Sequence, residues 1–139
     1  MVERKYLDVN VFIYWLAGNG EQLEKAKNWI KKVEKSSKGE YITSTLTLYE
    51  ILVIIAGLHG KTLKDIEFVR NVLEAIRLLD KLKLAPLSKD IISNVDKTME
   101  KYGLDFEDSI HYLTAKKHDV VKIISNDRDF DKTELERIF

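Results

Sequence analysis

The chain has 139 residues and a mass of 16.2 kDa, which suits one domain over residues 1–139 and excludes two of ordinary size. Its 23 Lys and Arg balance its 23 Asp and Glu, which excludes a protein that coats nucleic acid through net charge. The absence of cysteine excludes disulfide frameworks, cysteine-zinc sites and thiol catalysis. No apolar run reaches the ~18 residues of a membrane span, and no signal-peptide pattern opens the chain, so no membrane association and a cytoplasmic location are expected.

Short apolar runs alternate with longer segments of helical periodicity, which predicts an α/β fold with a parallel sheet. Strands are predicted at 5–8, 40–43, 83–87 and 120–125. Helices are predicted at 10–17, 21–38, 47–58, 62–82 and 105–117, with a further helix that Ser88 caps and that continues past Val95 to Met99. The last helix is predicted to begin at Asp131, where Glu134 completes an Asp-x-x-Glu capping box.

Two acidic residues interrupt stretches that are otherwise apolar. Asp8 is the only charged residue within 6–13, and Glu50 is the only charged residue within 48–58. A buried charge has to be paired or bound to a metal, so both positions favour a functional site. Helix capping is the competing interpretation, because Asp8 can cap the helix that follows it and Glu50 can form a Thr-x-x-Glu box with Thr47.

Two further acidic residues stand at predicted element boundaries. Asp108 lies in the first turn of an apolar helix, three residues after Asp105, so their side chains share one helix face. Asp127 follows the predicted strand at 120–125, and its neighbour Asp129 could replace it. The competing interpretations are an N-cap at Asp105 with Asp108 facing the helix dipole, and a polar turn that is rich in Asp for conformational reasons.

All four positions fall where a strand ends or a helix begins, and a doubly wound parallel sheet gathers such positions at one edge. Carboxylates about 4 Å apart repel one another by about 4 kcal/mol per pair at an effective dielectric constant near 20, and a divalent cation relieves this repulsion. Oxygen ligands without cysteine favour Mg²⁺ or Mn²⁺, and such sites hydrolyse phosphate esters. The sequence contains no P-loop and no Gly-x-Gly-x-x-Gly after the first strand.

Four segments resemble the four motifs of the PIN-domain nucleases, in the same order and over essentially the whole chain. They are LDVNVF at 7–12, TSTLTLYE at 43–50, DSIHYLTA at 108–115 and IISNDRDF at 123–130. In length and build the chain is similar to the VapC-type ribonuclease toxins of prokaryotic toxin–antitoxin pairs. The resemblance implies a three-layer α/β/α sandwich that binds Mg²⁺ or Mn²⁺ and cleaves RNA. It also implies a homodimer that a cognate antitoxin inhibits.

The resemblance also implies roles for individual residues. The implied catalytic residues are Asp8, Glu50, Asp108 and Asp127. Asp8, Asp108 and Asp127 are the implied metal ligands, while Glu50 orients or deprotonates the attacking water. Four further residues are supporting candidates. Asn10 matches the position that supports the first Asp, Ser125 replaces a commoner Thr, Asp129 is an alternative to Asp127, and Asp105 enters through its helical spacing to Asp108.

Two alternatives stay open at this point. The first is an RNA-processing PIN nuclease without an antitoxin. The second is a non-catalytic α/β binding module whose acidic residues are helix caps, and this module would bind no divalent metal. Outside the acidic positions, His111 is predicted to be a packed or hydrogen-bonded helix residue rather than a metal ligand. The apolar surplus at 48–58 and 63–82 predicts an interface with a second copy or with an antitoxin.

Overall fold

The computed structural model describes residues 3–139, which form five strands, seven α-helices and one 3₁₀ turn. The strands are β1 (Lys5–Leu7), β2 (Tyr41–Ser44), β3 (Lys83–Ala85), β4 (Lys122–Ile124) and β5 (Glu136–Ile138). The helices are α1 (Val9–Ala17), α2 (Gly20–Lys35), α3 (Thr45–His59), α4 (Ile66–Arg77), α5 (Lys89–Ile92), α6 (Val95–Tyr102) and α7 (Phe106–Lys117), and the 3₁₀ turn covers Arg128–Lys132. The strands pair in the order β3-β2-β1-β4-β5, and every pair is parallel.

The sheet is covered by helices on both faces, which confirms the three-layer α/β/α sandwich. Successive strand residues point to opposite faces. In β1, Leu7 joins the apolar cluster of α1, α2, α3 and α4, whereas Tyr6 joins the cluster that contains α7. In β4, Ile124 and Ile123 divide in the same way. Strands that are buried on both faces consist of nearly continuous apolar residues. This pattern is what allows the central strands to be predicted from the sequence.

The strand order changes direction between β1 and β4. From β1 the chain moves outward through β2 to β3, and it then returns to place β4 and β5 on the other side of β1. The segments that leave the carboxyl ends of β1 and β4 therefore diverge, and open α/β sheets bind their ligands in the crevice between such segments. Asp8 directly follows β1 and Ser125 directly follows β4, so both residues lie at this crevice.

Among the predicted helices that the structure contains, two differ from it more than the others do. The helix predicted at 62–82 corresponds to the shorter helix α4. It begins after Asp65, which caps it by accepting a hydrogen bond from the Phe68 amide at 3.1 Å. The single helix predicted after Ser88 is divided into α5 and α6. At the division, the side chains of Ser93 and Asn94 donate to backbone carbonyls four residues earlier, at 2.8 and 2.9 Å, which offers the chain an alternative to a continuous helix.

The helix predicted to begin at Asp131 is wrong, because the chain forms the 3₁₀ turn there and then continues as β5. Asp131 does not act as a helix cap, since its carboxylate forms a bidentate ion pair with Arg137. The four predicted strands lie within two residues of their observed limits, and β5 is the strand that the sequence did not reveal. No helix within 3–139 has both the length and the apolar character needed to cross a membrane.

Candidate metal centre

Asp8 is buried at the crevice, where it connects the ends of β1 and β4. Its Oδ1 accepts a hydrogen bond from the Val9 amide at 2.8 Å, so it caps α1 as the capping interpretation predicts. Its Oδ2 accepts from the Ser125 hydroxyl at 2.6 Å and from the Asn10 side-chain amide at 3.2 Å. Burial raises the pKa of Asp8, although the nearby His111 and these hydrogen bonds act in the opposite direction. Asn10 and Ser125 therefore orient a buried carboxylate whose charged form is unfavourable unless a further cation lies nearby.

Three more carboxylates meet beside Asp8. One oxygen each of Asp108, Asp127 and Asp129 lies within 4.8 Å of the other two. Asp108 is buried, Asp127 is half-buried and Asp129 is exposed. Asp105 is the N-cap of α7, because its Oδ1 accepts from the Asp108 amide at 2.8 Å. The capping interpretation is therefore correct for Asp105, and the structure brings both Asp127 and Asp129 to Asp108 rather than choosing between them.

The electrostatics of this cluster favour a bound cation. Burial and then the charges of Asp8 and Asp127 raise the pKa of Asp108 to about 9. A carboxyl group in this environment either keeps its proton near neutral pH or binds a positive ion. Carboxylate oxygens are the donors that Mg²⁺ and Mn²⁺ prefer, so the residues present fit a hard divalent cation.

Glu50 lies apart from the three-carboxylate cluster, on α3. Ser44 caps this helix by accepting from the Leu46 amide at 3.0 Å, so the capping box predicted for Thr47 and Glu50 is wrong. Glu50 instead uses Oε1 to accept a hydrogen bond from Nε2 of His111, at 2.6 Å. The capping explanation for Glu50 is thereby removed, and a contact between α3 and α7 takes its place.

His111 joins α7 to β1 and to α3 through its two ring nitrogens. It is fully buried, its Nδ1 lies 2.5 Å from Tyr6 Oη, and its Nε2 lies 4.0 Å from Asp8 Oδ1. Burial lowers the pKa of His111, but the hydrogen bond to Glu50 and the charge of Asp8 outweigh burial and raise it above its usual value. The prediction of a hydrogen-bonded helix histidine is confirmed. The partner Glu50 is 61 positions away, so no local pattern could have identified it.

The segment that carries Asp127 and Asp129 is fastened to β5 by Arg137. The Nε and Nη2 atoms of Arg137 donate to the Asp131 carboxylate at 2.9 and 3.1 Å. Its Nη1 donates to the Ser125 carbonyl at 3.2 Å. Strand β5, which the sequence analysis did not predict, therefore supports one side of the acidic site through Arg137.

We expect Arg137→Gln to weaken Mn²⁺ binding about 10-fold, because residues that orient metal ligands commonly have effects of this size. The melting temperature should fall only slightly, since the partner Asp131 is half-exposed and solvent screens the pair. Calorimetric titration with Mn²⁺ and thermal melting measure the two effects. Arg77→Gln on α4, which breaks an exposed pair with Glu74, is the matched control. An Mn²⁺ affinity that does not change in Arg137→Gln would show that the segment holds its shape alone.

Comparison with known proteins matches residues 5–135 to the PIN domain family model. VapC20 of Mycobacterium tuberculosis, a sarcin-ricin loop cleaving toxin, is 15% identical with a TM-score of 0.72, over 91% of this chain and 92% of its own. A toxin-antitoxin complex from Klebsiella pneumoniae is 20% identical with a TM-score of 0.65, over 95% and 98%. VapBC2 of Rickettsia felis, bound to a promoter DNA fragment, is 17% identical with a TM-score of 0.67, over 99% and 98%. No curated protein sequence gives a significant match. The structural likenesses show a shared fold, and because the family model covers nearly the whole chain, this protein belongs to the PIN domain family.

Proposed function

We propose that this protein is an endoribonuclease that hydrolyses RNA phosphodiesters with Mg²⁺ or Mn²⁺. The observation that carries the proposal is the acidic crevice, in which the oxygens of Asp108, Asp127 and Asp129 lie within 4.8 Å of one another beside the buried Asp8. The raised pKa of Asp108 supports a cation at this place. Membership of the PIN domain family and the fold shared with VapC20, a toxin that cleaves the sarcin-ricin loop, support RNA as the substrate.

In this proposal Asp8, Asp108 and Asp127 hold the cation, with Asp129 as a further or alternative ligand. A bound Mg²⁺ or Mn²⁺ would lower the pKa of water and stabilise negative charge on the phosphate oxygens. Asn10 and Ser125 keep the Asp8 carboxylate in one orientation through their hydrogen bonds to Oδ2. Glu50, held through Oε1, orients the attacking water with its second oxygen and accepts its proton.

We further propose that the protein is the toxin of a toxin–antitoxin pair, that it forms a homodimer and that it acts in the cytoplasm. Four apolar residues of α3 are each at least 39% exposed, namely Tyr49, Val53, Ile54 and Leu58. An exposed apolar helix face of this kind favours a protein partner. The neighbours from Klebsiella pneumoniae and Rickettsia felis are described as a toxin-antitoxin complex and as VapBC2, which supports an antitoxin as that partner. An RNA-processing nuclease without an antitoxin is the alternative, and the sequence of the neighbouring gene separates the two.

Cleavage of a mixed RNA pool by the purified protein tests the proposed activity. We expect cleavage with Mg²⁺ or Mn²⁺ that EDTA abolishes and that Asp8→Asn lowers by about 100-fold or more. Asp96→Asn removes an exposed carboxylate in the first turn of α6 and serves as the matched control with unchanged activity. Cleavage that survives both EDTA and Asp8→Asn would contradict this site. Folded protein that neither cleaves RNA nor binds Mn²⁺ would favour the non-catalytic binding module.

A further inference from the structure

A buried chain of hydrogen bonds leads from β2 through β1 and α7 to Glu50 on α3. The Ser44 amide donates to Tyr6 Oη at 3.1 Å, Tyr6 Oη lies 2.5 Å from His111 Nδ1, and His111 Nε2 lies 2.6 Å from Glu50 Oε1. Ser44, Tyr6 and His111 are fully buried, whereas the side chain of Glu50 is 14% exposed. Among these four residues, Glu50 alone reaches the surface, and it ends the series of hydrogen bonds. Its carboxylate is also the group that orients the attacking water in the proposed reaction.

The hydrogen in the last bond of this chain belongs to the imidazole. A carboxylate can only accept hydrogen bonds, so Nε2 of His111 has to carry a hydrogen and donate it to Glu50. Nδ1 either accepts from the Tyr6 hydroxyl, when the ring is neutral, or donates to the Tyr6 oxygen, when the ring is charged. Both protonation states of His111 keep the ring in the same orientation and let Nε2 donate to the Glu50 carboxylate.

We propose that His111 is a positioning residue that fixes the carboxylate of Glu50 beside the acidic site, a role that rests on the proposed ribonuclease function. The side chain of Glu50 is 14% exposed, and its three side-chain torsions allow the carboxylate to turn towards solvent. The hydrogen bond from His111 opposes this movement, and the His111 ring also stands 4.0 Å from Asp8 Oδ1. Because Tyr6 holds the ring from its other side, Glu50 is already in place before RNA binds.

Two substitutions of His111 distinguish its two ring nitrogens. The amide of His111→Gln extends to the position of Nε2 and can still donate to Glu50. The shorter amide of His111→Asn reaches only the position of Nδ1, so it keeps Tyr6 as a partner and loses Glu50. We expect RNA cleavage to fall about 10- to 100-fold in His111→Asn and less than about 3-fold in His111→Gln. Equal losses in the two variants would overturn the positioning role.

The same substitution in a Glu50→Ala background separates positioning from general support of the fold. If His111 acts through Glu50, His111→Asn should cause no further loss of cleavage once Glu50 has been removed. If His111 only supports the fold, it should lower cleavage by the same factor in both backgrounds, and that result would overturn the inference.

A third measurement does not depend on activity. In ¹⁵N-labelled metal-free protein, we expect the buried Nε2 hydrogen of His111 to give a protected, downfield resonance that Glu50→Ala removes and Asp96→Asn leaves unchanged. A resonance that survives Glu50→Ala would overturn the inference. Wild-type protein that shows this resonance and cleaves no RNA would refute the ribonuclease function and leave the hydrogen bond between His111 and Glu50 established, so the two failures are distinguishable.

Discussion

Asp108→Asn is expected to abolish detectable RNA cleavage and, at the same time, to raise the melting temperature of the metal-free protein. The folded-state pKa of Asp108 is about 9, well above the ordinary value of 3.8, so folding above pH ~4 requires this group either to take up a proton or to bear a buried charge. The resulting destabilisation is absent below pH ~4 and grows until the pH reaches about 9. Asparagine has nearly the same shape and no charge, so the variant avoids this penalty.

Calorimetric melting in EDTA at pH 5, 7 and 9 measures this effect, alongside cleavage in Mn²⁺ at neutral pH. The variant should exceed wild type by several degrees at pH 9 and by less at pH 5, since about 1 kcal/mol corresponds to a few degrees in a chain of this size. Asp96→Asn should follow the wild-type melting temperature at every pH. A variant that melts below wild type at pH 9 would show that the charged carboxylate of Asp108 stabilises α7, as the helix-dipole interpretation predicts.

Mn²⁺ or Mg²⁺ is expected to stabilise the wild-type protein, and more strongly at pH 8 than at pH 5. A ligand at 100 times its dissociation constant adds about 2.7 kcal/mol to the free energy of unfolding when it binds only the folded state. The cation has to displace the proton that Asp108 keeps below pH ~9, so its apparent affinity should fall as the solution becomes more acidic. Asp8 acts in the same direction, because burial raises its pKa as well.

Thermal melting without metal, and with metal at on the order of 100 times its dissociation constant, measures this stabilisation at both pH values. Asp108→Asn should lose most of the gain, whereas Arg77→Gln should keep all of it. A gain in melting temperature that is the same at pH 5 and pH 8, or that persists in Asp108→Asn, would place the cation away from the acidic crevice.

The parts of the fold that the sequence predicted are those with strong local signals. Runs such as the one ending at Ile124 are apolar because they are covered on both faces, and such runs identify the central strands. β5 has the sequence Glu-Arg-Ile, which carries no such signal. Its place beside β4 depends on backbone pairing and on Arg137, and both depend on the finished fold. The local sequence at Asp131 predicts a capping box, but the carboxylate forms an ion pair with Arg137 instead.

In the candidate site, too, local sequence signals identify some residues, and only the folded structure shows the contacts of the others. Asp8 and Asp127 follow buried strands, and the rule that parallel strands end at one edge of the sheet predicts that they lie close together. The sequence could not choose between Asp127 and Asp129, because two residues of one turn reach the same place, and the structure brings both to Asp108. The contact between Glu50 and His111 joins two helices that are far apart in the chain, so only the packing of α3 near α7 reveals it.

Calorimetric titration of Mn²⁺ into the metal-free protein tests most directly whether the acidic crevice is a metal centre. We predict binding to wild type that becomes at least about 10-fold weaker in Asp108→Asn and stays unchanged in Asp96→Asn. Wild-type protein that binds no Mn²⁺, or that binds it equally well without the Asp108 carboxylate, would contradict a metal-dependent nuclease site here and would leave Asp8, Asp105 and Asp127 with a capping role alone.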